Sequence, residues 1–84
     1  MKLYSLDNKF IRETDSFPDN FTGIIECSDG SRRWFVAGQW HRLNGPAMVW
    51  PDGTKFWYTY GKRVTELQCK LLHDMMKLKG LADV

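Results

Sequence analysis

The most reactive side chains in this sequence are Cys27, Cys69, His41 and His73. They form a nominal two-Cys, two-His set, yet only Cys69 and His73 are close in sequence, and neither a C-x-x-C nor an H-x3-H pair is present, so no zinc site is expected. One thiol falls in a predicted strand and the other in a predicted helix, which does not indicate a disulfide. Nucleophilic catalysis would need Ser or Cys beside a base with an orienting group, and no G-x-S-x-G, catalytic Cys signature or glycine-rich phosphate loop occurs. Asp7, Asp29 and Asp52 fall in turn sequences, where Asx geometry accounts for them. The chain therefore reads as a non-enzyme with no catalytic residue and no cofactor. His41-Arg42 invites an acid-base or phosphate-binding role. The stronger reading is that imidazole and guanidinium satisfy backbone carbonyls in the connection to Asn44-Gly45-Pro46.

What remains is binding chemistry. Residues 1–30 carry three basic and six acidic side chains, residues 31–63 carry six and one, and residues 64–84 carry three of each. The basic middle also holds eight of the 12 aromatics. Arg33, Trp40, Arg42, Trp50, Lys55, Tyr58, Lys62 and Arg63 are accordingly the candidate partner-binding residues. Cations interleaved with aromatics suit nucleic acid through phosphate contacts and stacking, and suit a protein partner equally, because Trp, Tyr and Arg dominate the energetics of protein interfaces. Trp34 and Trp57 are read as core anchors.

These side chains must be positioned by very little protein. Eighty-four residues leave room for one small domain, and a chain of this size buries only about 60% of its unfolded surface. No apolar run approaches a membrane span, and the start Met1-Lys2-Leu3-Tyr4 lacks the apolar core of a signal peptide, so a cytosolic protein without membrane contact is expected.

The organising feature is an internal repeat. A shift of 23 positions superimposes Asp29-Gly30 on Asp52-Gly53, Trp34 on Trp57 and Gly38 on Gly61. A fainter copy precedes them, with Tyr4, Asn8, Lys9, Phe10 and Arg12 matching Trp34, Gly38, Gln39, Trp40 and Arg42. Asn8 replaces a turn glycine there, as a residue that tolerates positive φ. Asp-Gly between runs of β-branched and aromatic residues predicts a hairpin, pairing 23–28 with 31–37 and 46–51 with 54–60. A two-residue turn sets Ile25 opposite Trp34, Met48 opposite Trp57, Glu26 opposite Arg33 and Ile24 opposite Phe35. Gly38 and Gly61 then reverse the chain into 39–41 and 62–64. The expected architecture is mainly β within an α+β class: an antiparallel meander of five to seven short strands with one C-terminal helix packed on the sheet. It divides into a partial repeat over 3–12, an irregular connection over 13–22, repeats over 23–45 and 46–65, and a helix over 66–79.

The string His41-Arg42-Leu43-Asn44-Gly45-Pro46-Ala47, followed by Asp52-Gly53, Trp57-Tyr58 and Gly61-Lys62, resembles the MORN-like tandem repeat whose units read H-R-x-[DN]-G-P-A, then D-G, then W-Y-x-x-G-K. The resemblance covers residues 3–65. Val64-Thr65 stands where the terminal His-Arg would fall. It implies an antiparallel β scaffold used for interaction, without a shared catalytic site, of a kind common in small phage and bacterial open reading frames.

The helix signals are Thr65 with Gln68 as a capping box, Glu66 in the first turn, and Gly80 after Lys77 and Lys79. Leu67, Leu71, Met75 and Leu78 fall on one face with Leu72 and Met76 beside them, a stripe expected to dock on the sheet. Its surplus, Leu72, Met75 and Met76, is the candidate dimerisation set. The resulting expectation is a protein-interaction module, in sharper form a phage or mobile-element protein that inhibits a host protein or ribonucleoprotein defence complex such as a CRISPR effector or restriction system. Nucleic-acid binding and an antitoxin-like or structural repeat protein are the competing expectations.

Overall fold

The computed structural model describes residues 1–78. Eight strands and one helix succeed one another in chain order: β1 (Lys2–Tyr4), β2 (Phe10–Glu13), β3 (Gly23–Glu26), β4 (Arg32–Val36), β5 (Gln39–Trp40), β6 (Met48–Val49), β7 (Lys55–Thr59), β8 (Lys62–Val64) and α1 (Glu66–Leu78). The strands form one antiparallel sheet in the order β2-β1-β3-β4-β6-β7-β8, with β5 pairing β4 beside β6. The mainly β, α+β meander is as expected, with one strand more than the upper count. No helix among the described residues is long and apolar enough to cross a membrane.

The repeat is visible in the pairing. Tyr4 lies opposite Ile24 where β1 meets β3, and the Trp34 N–H donates to the Ala47 carbonyl at 2.8 Å where β4 approaches β6. Ile24 and Ala47 are 23 positions apart. Thus β1, β4 and β7 are equivalent strands, each followed by a short return strand, β2, β5 or β8.

The hairpin register differs from the expected one by one residue. Ile24 lies opposite Trp34, Ile25 opposite Arg33, Glu26 opposite Arg32, and Met48 opposite Phe56. The cause is turn length. Cys27 N–H donates to Ser31 O and Gly30 N–H to Cys27 O, and Trp50 and Gly53 repeat the arrangement against Thr54 O and Trp50 O. Three residues therefore lie in each loop, with Gly30 and Gly53 at φ 92 and 91°, the three-residue hairpin that ends in a left-handed residue. Asp29 and Asp52 each accept the backbone N–H two residues on, at 2.9 Å, which gives the Asx turns. Hydrogen bonding from Ser31, backbone first and then side chain, holds the Asp29 carboxyl below its ordinary range, and from Thr54, side chain first and then backbone, does the same for Asp52. The second turns, Ala37-Gly38 and Tyr60-Gly61, are two-residue reversals with positive φ at both positions. Asn8 does take positive φ, at 71°. Its turn holds three residues, however, since Ser5 N–H donates to Lys9 O.

The core lies on both faces of the sheet: Leu3, Ile25 and Met48 are buried on one, and Ile24, Ala47, Leu43 and Cys69 on the other. α1 packs against β7. Its capping box is formed as expected, Gln68 N–H donating to Thr65 Oγ1 at 3.1 Å and Thr65 N–H to Gln68 Oε1 at 2.9 Å. The expected end signal at Lys79-Gly80 lies outside the described residues. The docking face is not the one expected. Cys69 is buried and Leu72, His73 and Met76 are half-buried, whereas Leu67, Leu71, Met75 and Leu78 are 65, 56, 49 and 90% exposed. Leucine density pointed to the wrong stripe, because the sheet offers Cys69 a specific seat: its thiol donates to the carbonyls of Arg42 at 3.1 Å and Leu43 at 3.6 Å. Burial raises the thiol's pKa, and nearby Arg42 opposes that only in part, so Cys69 stays protonated and serves as a donor.

Candidate interaction surface

Side chains alternate along a strand, so the register fixes which residues share a face. The row Leu3, Ile25, Arg33, Met48, Phe56 crosses four pairings and defines the front. Phe35, Trp40, Tyr58 and Arg63 join it, through Phe35 opposite Trp40 and Tyr58 opposite Arg63. The connection expected to be irregular runs across this face. Phe17 meets Phe35, the Gly38 N–H donates to Phe21 O at 2.9 Å, and the Ala37 N–H donates to Thr22 Oγ1 at 2.9 Å.

The result is a continuous aromatic series. Ring centroids are 6.3 Å apart for Phe17–Phe35, 6.4 Å for Phe35–Trp40 and 4.7 Å for Trp40–Tyr58, with edge contacts in the last two. Such pairs add about 0.5–1.5 kcal/mol each beyond area burial, so the series is rigid before any partner arrives. Between Phe17 and the β3–β4 surface lies a groove of about 300 Å³ lined by Ile25, Arg33, Phe35 and Trp40.

Two guanidinium groups sit in this apolar setting. Arg33 Cζ is 5.5 Å from the Phe17 ring and 5.9 Å from the Trp50 ring, and Arg63 Cζ is 4.5 Å from Phe56. The Lys9–Asp7 ion pair, at 3.7 Å, involves neither arginine, and Arg33 acts on the Asp29 carboxyl only at longer range. The Arg33 Nε is buried without a hydrogen-bond partner. The register parts Arg33 from Glu26: the expected pairing set them opposite each other, whereas the three-residue loop sets Glu26 opposite Arg32 and leaves Arg33 between Ile25 and Met48. Ring faces supply a cation with only about 0.5–2 kcal/mol, so the charge still favours an anionic partner.

Of the eight residues read from sequence as partner-binding, the structure brings together Arg33, Trp40, Trp50, Tyr58 and Arg63 on the front. It parts them from Lys55 and Lys62, which the pairing places on the back, and from Arg42, which lies against the back-face Trp34. Arg42 is used internally: Nε donates to Asn44 Oδ1 at 3.0 Å, Nη1 donates to the Pro46 carbonyl at 3.1 Å, and Cζ lies 4.1 Å from the Trp34 ring. That carbonyl bond matches the sequence expectation for the guanidinium. For His41 the expectation is corrected, since its Nδ1 accepts from the Tyr60 N–H at 2.9 Å instead of donating to a carbonyl. His41 is 2% exposed and its ring lies 4.1 Å from that of Tyr60. Burial pushes its pKa down, and an imidazole accepting at Nδ1 is neutral. Trp34 and Trp57, read as core anchors, are half-buried on the back and not part of the buried core: Trp34 lies near the guanidiniums of Arg32 and Arg42, and Trp57 lines the cleft under α1 with Cys69.

Phe17 and Phe35 were missed as surface residues. Phe35 was recoverable, because alternation places it with Arg33. Phe17 was not, since it lies in the connection without periodic pattern. Of the dimerisation set, Leu72 and Met76 are half-buried on the docking side of α1, and Met75 is on its exposed stripe.

No family model matches the chain, and neither a curated protein nor a solved structure matches it.

Proposed function

We propose that this protein is a non-enzymatic interaction module that docks through its front face on a protein surface carrying carboxylates among apolar side chains. The observation that carries the reading is the Phe17–Phe35–Trp40–Tyr58 series flanked by Arg33 and Arg63, two cations held over rings without a salt bridge among the described residues. Rigid aromatic anchors beside arginines are the composition of an energetic centre in a protein interface. The split of the cations supports a protein over nucleic acid. A backbone-tracking surface needs its charges along one stripe, and Lys55 and Lys62 by register, with Arg42 against Trp34, lie on the opposite face.

In its sharper form the module is a phage or mobile-element protein that acts in the host cytosol and inhibits a defence complex such as a CRISPR effector or restriction system. The MORN-like string over residues 41–62 and the small size support that form. The test is recovery of partners from the host with and without nuclease, comparing the parent with Trp40→Ala and Tyr58→Ala. We expect one protein complex to be retained after nuclease treatment, and each substitution to weaken binding by about 2 kcal/mol or more while the fold survives. Tight, salt-sensitive binding to a DNA or RNA duplex, lost on removing Arg33, Lys55 and Arg63 together and untouched by the aromatic substitutions, would overturn the reading.

A further inference from the structure

The exposed stripe of α1 has no cover within the chain. Successive helical residues are 100° apart, which sorts α1 into three sides. Cys69, Leu72, His73 and Met76 face the sheet, Leu67, Leu71, Met75 and Leu78 form the bare stripe, and Glu66, Lys70, Asp74 and Lys77 line one flank of it. The flank is where the partner can be read. Its charges alternate in sign along the helix, and none of the four forms an ion pair among the described residues.

We infer that the bare stripe of α1 pairs with the same stripe of a second copy, antiparallel, about a two-fold axis at residue 72. In that arrangement each flank faces its own copy. Glu66 then meets Lys77 of the second copy and Lys70 meets Asp74, and symmetry doubles both pairs. Leu71 meets its own copy near the axis and Leu67 meets Met75 or Leu78. In a parallel pair the two-fold axis runs along the helices, so this flank would face the opposite one, which carries Gln68, and its four charges would find no partners. The antiparallel arrangement is the one that pairs the flank with itself, and this self-match is what identifies a second copy as the occupant. It places the dimer contact on Leu67, Leu71, Met75 and Leu78 instead of the Leu72, Met75 and Met76 set, and it stands independently of the front-face reading.

The contact is small. Thirteen residues make a helix of about 20 Å, which covers less than the about 800 Å² per partner of a standard interface. A dimer in the micromolar range follows.

Sedimentation equilibrium of the full chain across that range tests the inference, with circular dichroism verifying that each variant remains folded. The parent should associate, and Leu71→Glu, at an exposed position, should remain monomeric. Asp74→Lys should weaken association about tenfold, because it sets like charges together twice. The double swap Lys70→Glu with Asp74→Lys should recover most of that loss. In a Cys27→Ser background, Leu71→Cys should form a disulfide-linked dimer on oxidation. A parent monomeric at the highest concentration, a dimer indifferent to Leu71→Glu, or a double swap no better than the single would each overturn it.

Discussion

Gly23 and Gly53 allow backbone strain to be separated from close packing. Both have positive φ, 150° and 91°, conformations that L side chains rarely adopt. A Cβ at Gly53 meets nothing within 4 Å. At Gly23 it would fall inside van der Waals contact of the Tyr4 carbonyl oxygen and 2.7 Å from Phe21 Cζ. The Phe21 ring can turn aside. The carbonyl cannot, because β1 is held against β3 by the pairs Lys2–Glu26, Leu3–Ile25 and Tyr4–Ile24. Gly53→Ala thus carries about 1–3 kcal/mol of strain, offset by about 0.4–1 kcal/mol from restricting the unfolded chain, for a net cost near 1 kcal/mol. Gly23→Ala adds overpacking of about 1–3 kcal/mol on top, so its cost is about 3 kcal/mol or more. A domain of this length has about 4–13 kcal/mol in total. At about 4–8 °C per kcal/mol, thermal unfolding followed by circular dichroism should fall by about 5 °C for Gly53→Ala and by at least about 15 °C for Gly23→Ala. Gly53→Val, β-branched at the same φ, should lie between them. Equal losses at the two positions would refute the close approach of β1 to β3, and with it the placement of the N-terminal partial repeat on the sheet.

His41 has a depressed pKa from burial, so neutral imidazole stabilises the fold above its ordinary value of 6.5 and that stability is lost as pH falls through the folded value. Urea titrations should therefore show stability falling below about pH 6.5, a step absent from His41→Gln and distinct from the carboxylate step of Asp29 and Asp52 at lower pH. Thr65→Ala should cost about 1 kcal/mol and reduce the helical signal, since it removes the cap on the Gln68 N–H; an unchanged melt would show that docking alone holds the helix. Arg42→Ala should destabilise by about 1–3 kcal/mol through the lost Pro46 bond and the uncovered Trp34 ring. Partner affinity, measured where the variant is folded, should be unchanged, and a specific loss of binding would return Arg42 to the interface.

The repeat made the fold legible before any coordinates. Two strong hairpin turns, their 23-residue spacing and a capped terminal helix leave an antiparallel meander as the natural arrangement. The register was less legible, because Asp-Gly serves both two- and three-residue loops, and one extra residue moves Arg33 from Glu26 to Ile25. Composition does not say which face a cation takes, so the eight candidate residues could not be sorted from the sequence into Arg33 and Arg63 on the front and Arg42, Lys55 and Lys62 on the back. The docking face of α1 was illegible for a related reason. Hydrophobicity favours Leu67 and Leu71, whereas the seat is chosen by two carbonyls, of Arg42 and Leu43, that accept from a thiol.

The equivalence of Tyr4–Ile24 with Trp34–Ala47 has an evolutionary consequence. Each strand equivalent to β4 contacts the next unit through the same backbone register, so duplicating a 23-residue segment such as 24–46 would insert another aromatic strand without disturbing its neighbours. The sheet could lengthen one unit at a time, adding a further length of front face at each step. α1 would remain the closing element on the last unit. Reach across a partner would then be set by copy number, a property that gene duplication can change in a single event, while the chemistry of each unit drifts separately.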